Sequence, residues 1–179
     1  MLEWNVVVSI RERGLRRAFE VLEKFGTVRK TGFFNVLVME VNDIPGMLET
    51  LREHSSADPH YLSFLSRLIP VSEAFSFQSA EEFRNRAKEI VLAWAPGLSG
   101  RSFYVRIYRR GFKGRISSPE EEKFLDGIIL ESLGSAQTPG RITFEDPDAV
   151  IVIETVAQQA GLALWTREDM RKYSFIRVS

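Results

Sequence analysis

The chain has 179 residues, 44% hydrophobic and 27% charged, and its 24 basic residues are matched by 24 acidic ones. That composition suits an ordinary globular protein of one large or two small domains, and the charge balance means that any surface for a polyanion has to be local. Cysteine is absent, which excludes disulfides, thiolate zinc sites, iron–sulfur clusters and a cysteine nucleophile together.

From the N-terminus, WNVVVSI (4–10) reads as a buried strand, and Leu15, Ala18, Phe19, Leu22 and Phe25 recur at helical spacing, with Gly26 as the stop signal. Strand-like segments at 27–31 and 33–41 follow, separated by Gly32, and a helix opens at Pro45 with Met47, Leu48 and Leu51 on one side. Residues 67–77 close this half as an extended segment, which gives the order β-α-β-β-α-β of a ferredoxin-like domain. The stretch HSSADPHYLSF before it has no readable conformation.

The second half starts at Ser79-Ala80-Glu81-Glu82, a helix-start pattern, and its helix runs to Trp94 before Pro96-Gly97. Residues 102–109 alternate with period two: Phe103, Val105 and Ile107 on one face, Arg106 and Tyr108 on the other. A Gly-rich basic loop leads to a second helix, with Ser118 as expected N-cap, Pro119 in the first turn and Glu121 completing a capping box. Strands at 141–145, 149–156 and 162–165 complete the half, the first two around Asp146-Pro147-Asp148. Such strands alternating with helices imply an α/β layer fold. The expected boundary gives domains of 1–78 and 79–179.

Charge is uneven in one place. Between Ile90 and Pro119 there is no acidic residue, yet Arg101, Arg106, Arg109, Arg110, Lys113 and Arg115 lie there. Backbone N–H groups at the following helix start would add to an anion site, and Tyr108 and Phe112 offer faces on which unpaired bases could stack. A solvated basic strand edge is the competing reading. Gly111-Phe112-Lys113-Gly114 matches the GxxG of KH domains, but a strand precedes it where KH needs a helix.

These residues are also the ones that carry a family resemblance. Phe103-Tyr-Val-Arg-Ile-Tyr-Arg-Arg-Gly-Phe-Lys, then Ser118-Pro-Glu-Glu-Glu and Leu125-Asp-Gly127-Ile-Ile, resemble the central strand, loop and helix of THUMP domains. Arg141-Ile-Thr-Phe-Glu-Asp-Pro147-Asp148-Ala-Val-Ile-Val-Ile-Glu154 resembles the family's second signature, and Ala160-Gly161-Leu162 the start of its last strand. The match covers residues 79–166. It implies a mixed α+β, α/β protein: an N-terminal ferredoxin-like domain, the usual companion, followed by a THUMP-like α/β domain. It further implies RNA as partner, tRNA at the acceptor stem and 3′ CCA end. The basic residues above, with Tyr108 and Phe112, are the expected RNA-binding set.

The catalytic signatures that accompany THUMP elsewhere are missing from this sequence, including the cysteine-dependent zinc deaminase motif. The resemblance therefore implies a stand-alone protein that is no enzyme and needs no cofactor or metal. It would act as adaptor for a separate tRNA-modifying enzyme such as a cytidine acetyltransferase. A cytoplasmic location is expected, since the N-terminus lacks signal-peptide features and no apolar stretch reaches the ~18 residues of a membrane span. The alternative is a ferredoxin-like interaction or ligand-sensing protein without RNA binding. His54 and His60 read as surface-loop residues, the run Glu120-Glu121-Glu122 as helix-terminal charge, and Glu145, Asp146 and Asp148 as turn formers.

Overall fold

The computed structural model describes residues 2–179, and contacts divide the chain into two units. Unit 1 comprises the residues up to Ser72 together with Glu168–Val178, and unit 2 comprises Glu73–Arg167 with Ser179.

Unit 1 contains β1 (Val6–Ile10), α1 (Leu15–Leu22), β2 (Gly26–Lys30), β3 (Val36–Val41), α2 (Ile44–Ala57) and β4 (Leu65–Pro70). Its sheet has the order β2-β3-β1-β4, every neighbouring pair antiparallel. Val6, Val7 and Val8 are all buried because β1 is central and covered on both faces. The Asn5 side chain extends the ladder: its amide donates to the Val41 carbonyl at 2.8 Å and its oxygen accepts from the Val41 N–H at 2.9 Å. Asp43 caps α2 by accepting from Gly46 N at 2.9 Å, and Met47, Leu48 and Leu51 turn inward as their spacing predicts.

The structure shifts several expected boundaries. Helix α1 ends at Leu22, and Gly26, expected as the helix stop, opens β2 instead. A Cβ at position 26 would lie 2.1 Å from the Glu40 carbonyl oxygen, so the glycine serves the close approach of two strands. The segment 67–77 is not one strand. It divides into β4 and, within unit 2, β5 (Glu73–Ser76). The chain therefore passes between units ahead of residue 78. The tail returns to unit 1, where Phe175 and Ile176 are buried, the Phe175 carbonyl accepts from Leu68 N at 3.0 Å, and the Tyr173 hydroxyl donates to Glu49 at 3.0 Å.

Unit 2 continues with α3 (Ala80–Trp94), β6 (Ser102–Tyr108), α4 (Ser118–Ser135), β7 (Arg141–Ile142), β8 (Ala149–Val156) and β9 (Gln159–Thr166), and α5 (Arg167–Lys172) follows at the unit boundary. The sheet order is β5-β9-β8-β6-β7, with β6 parallel to β7 and β8 and the other pairs antiparallel. Phe103, Val105 and Ile107 share one core with Ile151 and Ile153 of β8, Phe83, Ala87 and Val91 of α3, and Leu125 and Ile129 of α4. Ser79 caps α3, accepting from Glu82 N at 3.1 Å. The whole is a mixed α+β protein with two sheets. Among the described residues no helix is long and apolar enough to cross a membrane.

The Gly26→Ala variant should lose about 1–3 kcal/mol of stability, because the added methyl meets backbone that cannot step aside. Urea unfolding measures it. An unchanged midpoint would show that β2 and β3 separate without cost.

Candidate functional site

Strand β6 delivers the basic segment to one end of unit 2, and the loop that follows is folded rather than loose. Arg110 N donates to Thr155 Oγ1 at 2.9 Å, and the Arg110 carbonyl accepts from Ala157 N at 2.9 Å, so the loop is stitched to the β8–β9 hairpin. Gly111 has φ +95°, and a Cβ there would sit 3.1 Å from Ala157 Cα, which explains glycine at this contact. Phe112 adopts φ 55°, a left-handed conformation costing a non-glycine residue about 1–2 kcal/mol. Its ring packs 5.0 Å from that of Phe77, and this burial offsets the strain. Arg115 N and Ile116 N then both donate to the Phe112 carbonyl, closing the turn into α4.

The predicted basic and aromatic residues separate into two groups. Arg110 is not available to a phosphate: its guanidinium pairs with Glu154, whose side chain is 0% exposed. Phe112 is 9% exposed and belongs to the core, so it presents no face to a base. Arg106 pairs with Glu122 at 3.3 Å, while its buried Nε has no acceptor among the described residues. The Tyr108 hydroxyl is engaged by the Ser179 backbone. Arg106, Arg110 and Phe112 are committed to the fold, whereas Tyr108 is half-buried and is engaged through its hydroxyl. Arg101, Lys113 and Arg115 are exposed, and the Arg115 guanidinium lies 4.2 Å over the Phe112 ring. Arg109 is half-buried and donates to the Gly111 carbonyl, which shapes the loop while leaving other N–H groups of its guanidinium.

The cap of α4 also differs from expectation. Ser117, not Ser118, accepts from Glu120 N at 3.4 Å. Glu121 instead receives Arg84 Nε at 2.9 Å, tying α3 to α4.

The arrangement along the open side of β6 lies outside the sequence-based expectations. Strand β7 pairs only with Ser102 and Phe103. Beyond it, α4 takes over with two carboxylates: Val105 N donates to Asp126 at 3.0 Å and Ile107 N donates to Glu122 at 2.7 Å. Burial above all, with Glu122 adding to it, pushes the Asp126 carboxyl up to about 7, against the Val105 N–H and Arg106, which favour its charged form. A groove of about 720 Å³ runs along this side, lined among others by Arg106, Lys123, Asp126 and Phe144. Phe144 is 64% exposed and its ring lies 5.3 Å from Tyr104. A readable signal did exist: Glu122 and Asp126 stand four apart on one helix, a like-charge spacing that is unfavourable unless each has a partner.

The acidic turn is a clip. Ser102 N donates to Asp148 and Asp148 N donates back to Ser102 Oγ, both at 2.9 Å, while Arg167 pairs with Asp146 and Asp148. Among the described residues no group of three or more His, Asp or Glu is placed to hold a metal.

No family model and no curated protein matches the sequence. Solved structures do match the fold. TrmN from Thermus thermophilus aligns with 90% of this chain and 44% of its own, at 16% identity and a TM-score of 0.59. PH1313 from Pyrococcus horikoshii Ot3 aligns over 90% of this chain and 54% of its own, at 14% identity and a TM-score of 0.55. A 4-thiouridine synthetase, solved as an RNA complex with bound ATP, aligns over 92% of this chain and 42% of its own, at 15% identity and a TM-score of 0.52. The chain thus spans about half or less of these structures. The expectation that the protein is no enzyme is corrected here: one neighbour is an enzyme by name, and the fold of nearly this whole chain occurs inside it.

Two outcomes test the site. Glu154→Gln should destabilise unit 2 by about 3–5 kcal/mol, because it strands the buried Arg110 charge. Lys113→Ala should leave stability within ~0.5 kcal/mol. Equal thermal shifts for the two variants would sink the division of the basic residues made above. For Asp126, the carboxyl titrates near ~3.9 in an unfolded chain and about 7 in the fold. The folded state therefore holds the extra proton, and the stability this provides is present at low pH and lost as pH rises toward and through about 7. Melting temperature should fall more steeply between pH 5 and pH 8 in the wild type than in Asp126→Asn, and parallel profiles would contradict the raised value.

Proposed function

We propose that unit 2 is a THUMP-like RNA-binding module, that its RNA is tRNA, and that it presents this RNA to a tRNA-modifying active site. The observation that carries the reading is the ordered basic loop. Its inward residues, Arg110 and Phe112, fix the backbone, and its outward residues, Lys113 and Arg115 with part of Arg109, are left facing solvent in a stretch without acidic residues, to which exposed Arg101 belongs at the other end of β6. Cations held on a rigid loop bind phosphates with less ordering cost than cations on a flexible one. Phe144, exposed at the rim of the groove beside β6, supplies a ring on which an unpaired base can stack. The shared fold with a synthetase crystallised on RNA supports the same ligand class.

In this reading unit 1, with its β-α-β-β-α-β order and antiparallel sheet, is the ferredoxin-like companion of the module. The single-stranded 3′ end of tRNA is the segment suited to the loop and to Phe144, since stacking needs bases outside a duplex.

Binding of tRNA across a salt series tests the proposal. The triple variant Arg101→Ala, Lys113→Ala, Arg115→Ala should weaken binding of all tRNAs alike and reduce the slope of log K against log salt by about one unit per lost phosphate contact. Arg109 is left in place because it shapes the loop. Trimming CCA should cost the wild type a further ~1–3 kcal/mol per stacked base. A triple variant that matches the wild type at every salt concentration would leave the loop as solvated surface.

A further inference from the structure

Unit 1 holds a second basic concavity, in a part of the chain to which the proposed function assigns no contact. Three segments far apart in sequence form it. Arg11 comes from the end of β1, where the β1–β4 register shifts between Ser9 and Ile10 and Arg11 N donates to the Phe64 carbonyl at 2.8 Å. His60 and Ser63 come from the stretch after α2, folded by successive turns in which Tyr61 N donates to the Asp58 carbonyl and Ser63 N to the His60 carbonyl. Ser174 and Arg177 come from the tail, which is tied to β4 through the Phe175 carbonyl. Together they line a cavity of about 430 Å³.

The lining has one sign. It contains two arginines, a histidine and several serines, and no carboxylate. Neither Arg11 nor Arg177 is ion-paired to an acidic side chain among the described residues. The nearest acidic group in the loop, Asp58, is occupied locally, accepting from His60 N at 3.0 Å. Three other arginines of unit 1 do have acidic partners: Arg16 and Arg17 face Glu20, and Arg52 faces Glu49. Two arginines without an acidic partner, lining one concave site together with serine hydroxyls and an imidazole, offer donors suited to a compact oxyanion with several acceptor oxygens.

We propose that this cavity binds a phosphomonoester. A monoester presents three terminal oxygens and a charge of about −1.5 to −2, whereas a backbone phosphodiester presents two such oxygens and one charge. Two arginines with further donors match the former. Two sources carry this group: the 5′-terminal phosphate of an RNA, which rests on the RNA-binding reading of unit 2, and a small phosphate ester, which does not.

The test uses the full chain and has two arms. In the first, inorganic phosphate is titrated while the His60 ring signals, assigned by their absence in His60→Gln, are followed by NMR. They should move saturably with phosphate, stay still with chloride at equal ionic strength, and stop responding in Arg11→Ala/Arg177→Ala. Signals that do not respond to phosphate, or that respond equally in the double variant, overturn the proposal. In the second arm, the same tRNA is compared with a 5′-phosphate and with a 5′-hydroxyl. Affinity about tenfold higher for the phosphorylated form, lost in the double variant, assigns the site to the RNA end. Equal affinities remove that source and, given a positive first arm, leave the small ester. Failure of unit 2 to bind RNA would show in the second arm alone, so the two proposals fail separately.

Discussion

Glu154 sits in the middle of a sheet with no exposed surface, and a carboxylate in that position demands a cation. Arg110 supplies it, and much of unit 2 follows from that pairing. The arginine lies just beyond the end of β6 and the glutamate near the end of β8, so the pair ties the ends of two parallel strands together. Once Arg110 points inward, the next residues have to turn sharply. Gly111 passes close against Ala157, and Phe112 enters the core in a left-handed conformation. Lys113 and Arg115 are then left facing out. The exposed charges of the loop are a consequence of the buried one.

The same constraint explains which parts of the site could be read in advance. Periodicity located β6, α3 and α4, and the charge gap between Ile90 and Pro119 located the basic loop, because each is a local property. Which arginine faces inward is not local. Arg109 and Arg110 are adjacent and chemically identical, and only the parallel register with β8, which places Tyr108 opposite Glu154, distinguishes them. The strand parity that puts Arg106 and Tyr108 on one face extends to Arg110, so half of the signal was present. The other half required knowing that a glutamate from a strand more than forty positions away would be waiting there. Phe112 was misread for a related reason: between glycines it looks like a loop tip, and its burial depends on Phe77 from before α3.

The fold expectations failed where segments serve two units. Residues 67–77 have the composition of one strand, yet the chain leaves one sheet after Pro70 and joins another at Glu73. Composition does not record a change of sheet. The stretch around His60, which has no readable conformation in the sequence, and the tail around Phe175 both belong to unit 1. The first is a succession of tight turns whose Phe64 carbonyl accepts from Arg11 N, and the second is tied to β4 through the Phe175 carbonyl.

That last arrangement bears on how the protein is made. Unit 2 is contiguous from Glu73 to Arg167, whereas unit 1 needs both the first residues of the chain and Glu168–Val178. During synthesis the ribosome releases β1 to β4 first, but the segment that buries Phe175 and Ile176 and hydrogen-bonds β4 emerges only after unit 2. The usual N-terminal-first order of domain folding is therefore not open to the complete unit 1. The second unit can close while the first still waits, its β4 backbone and apolar surface open, for Glu168–Val178 to leave the exit tunnel.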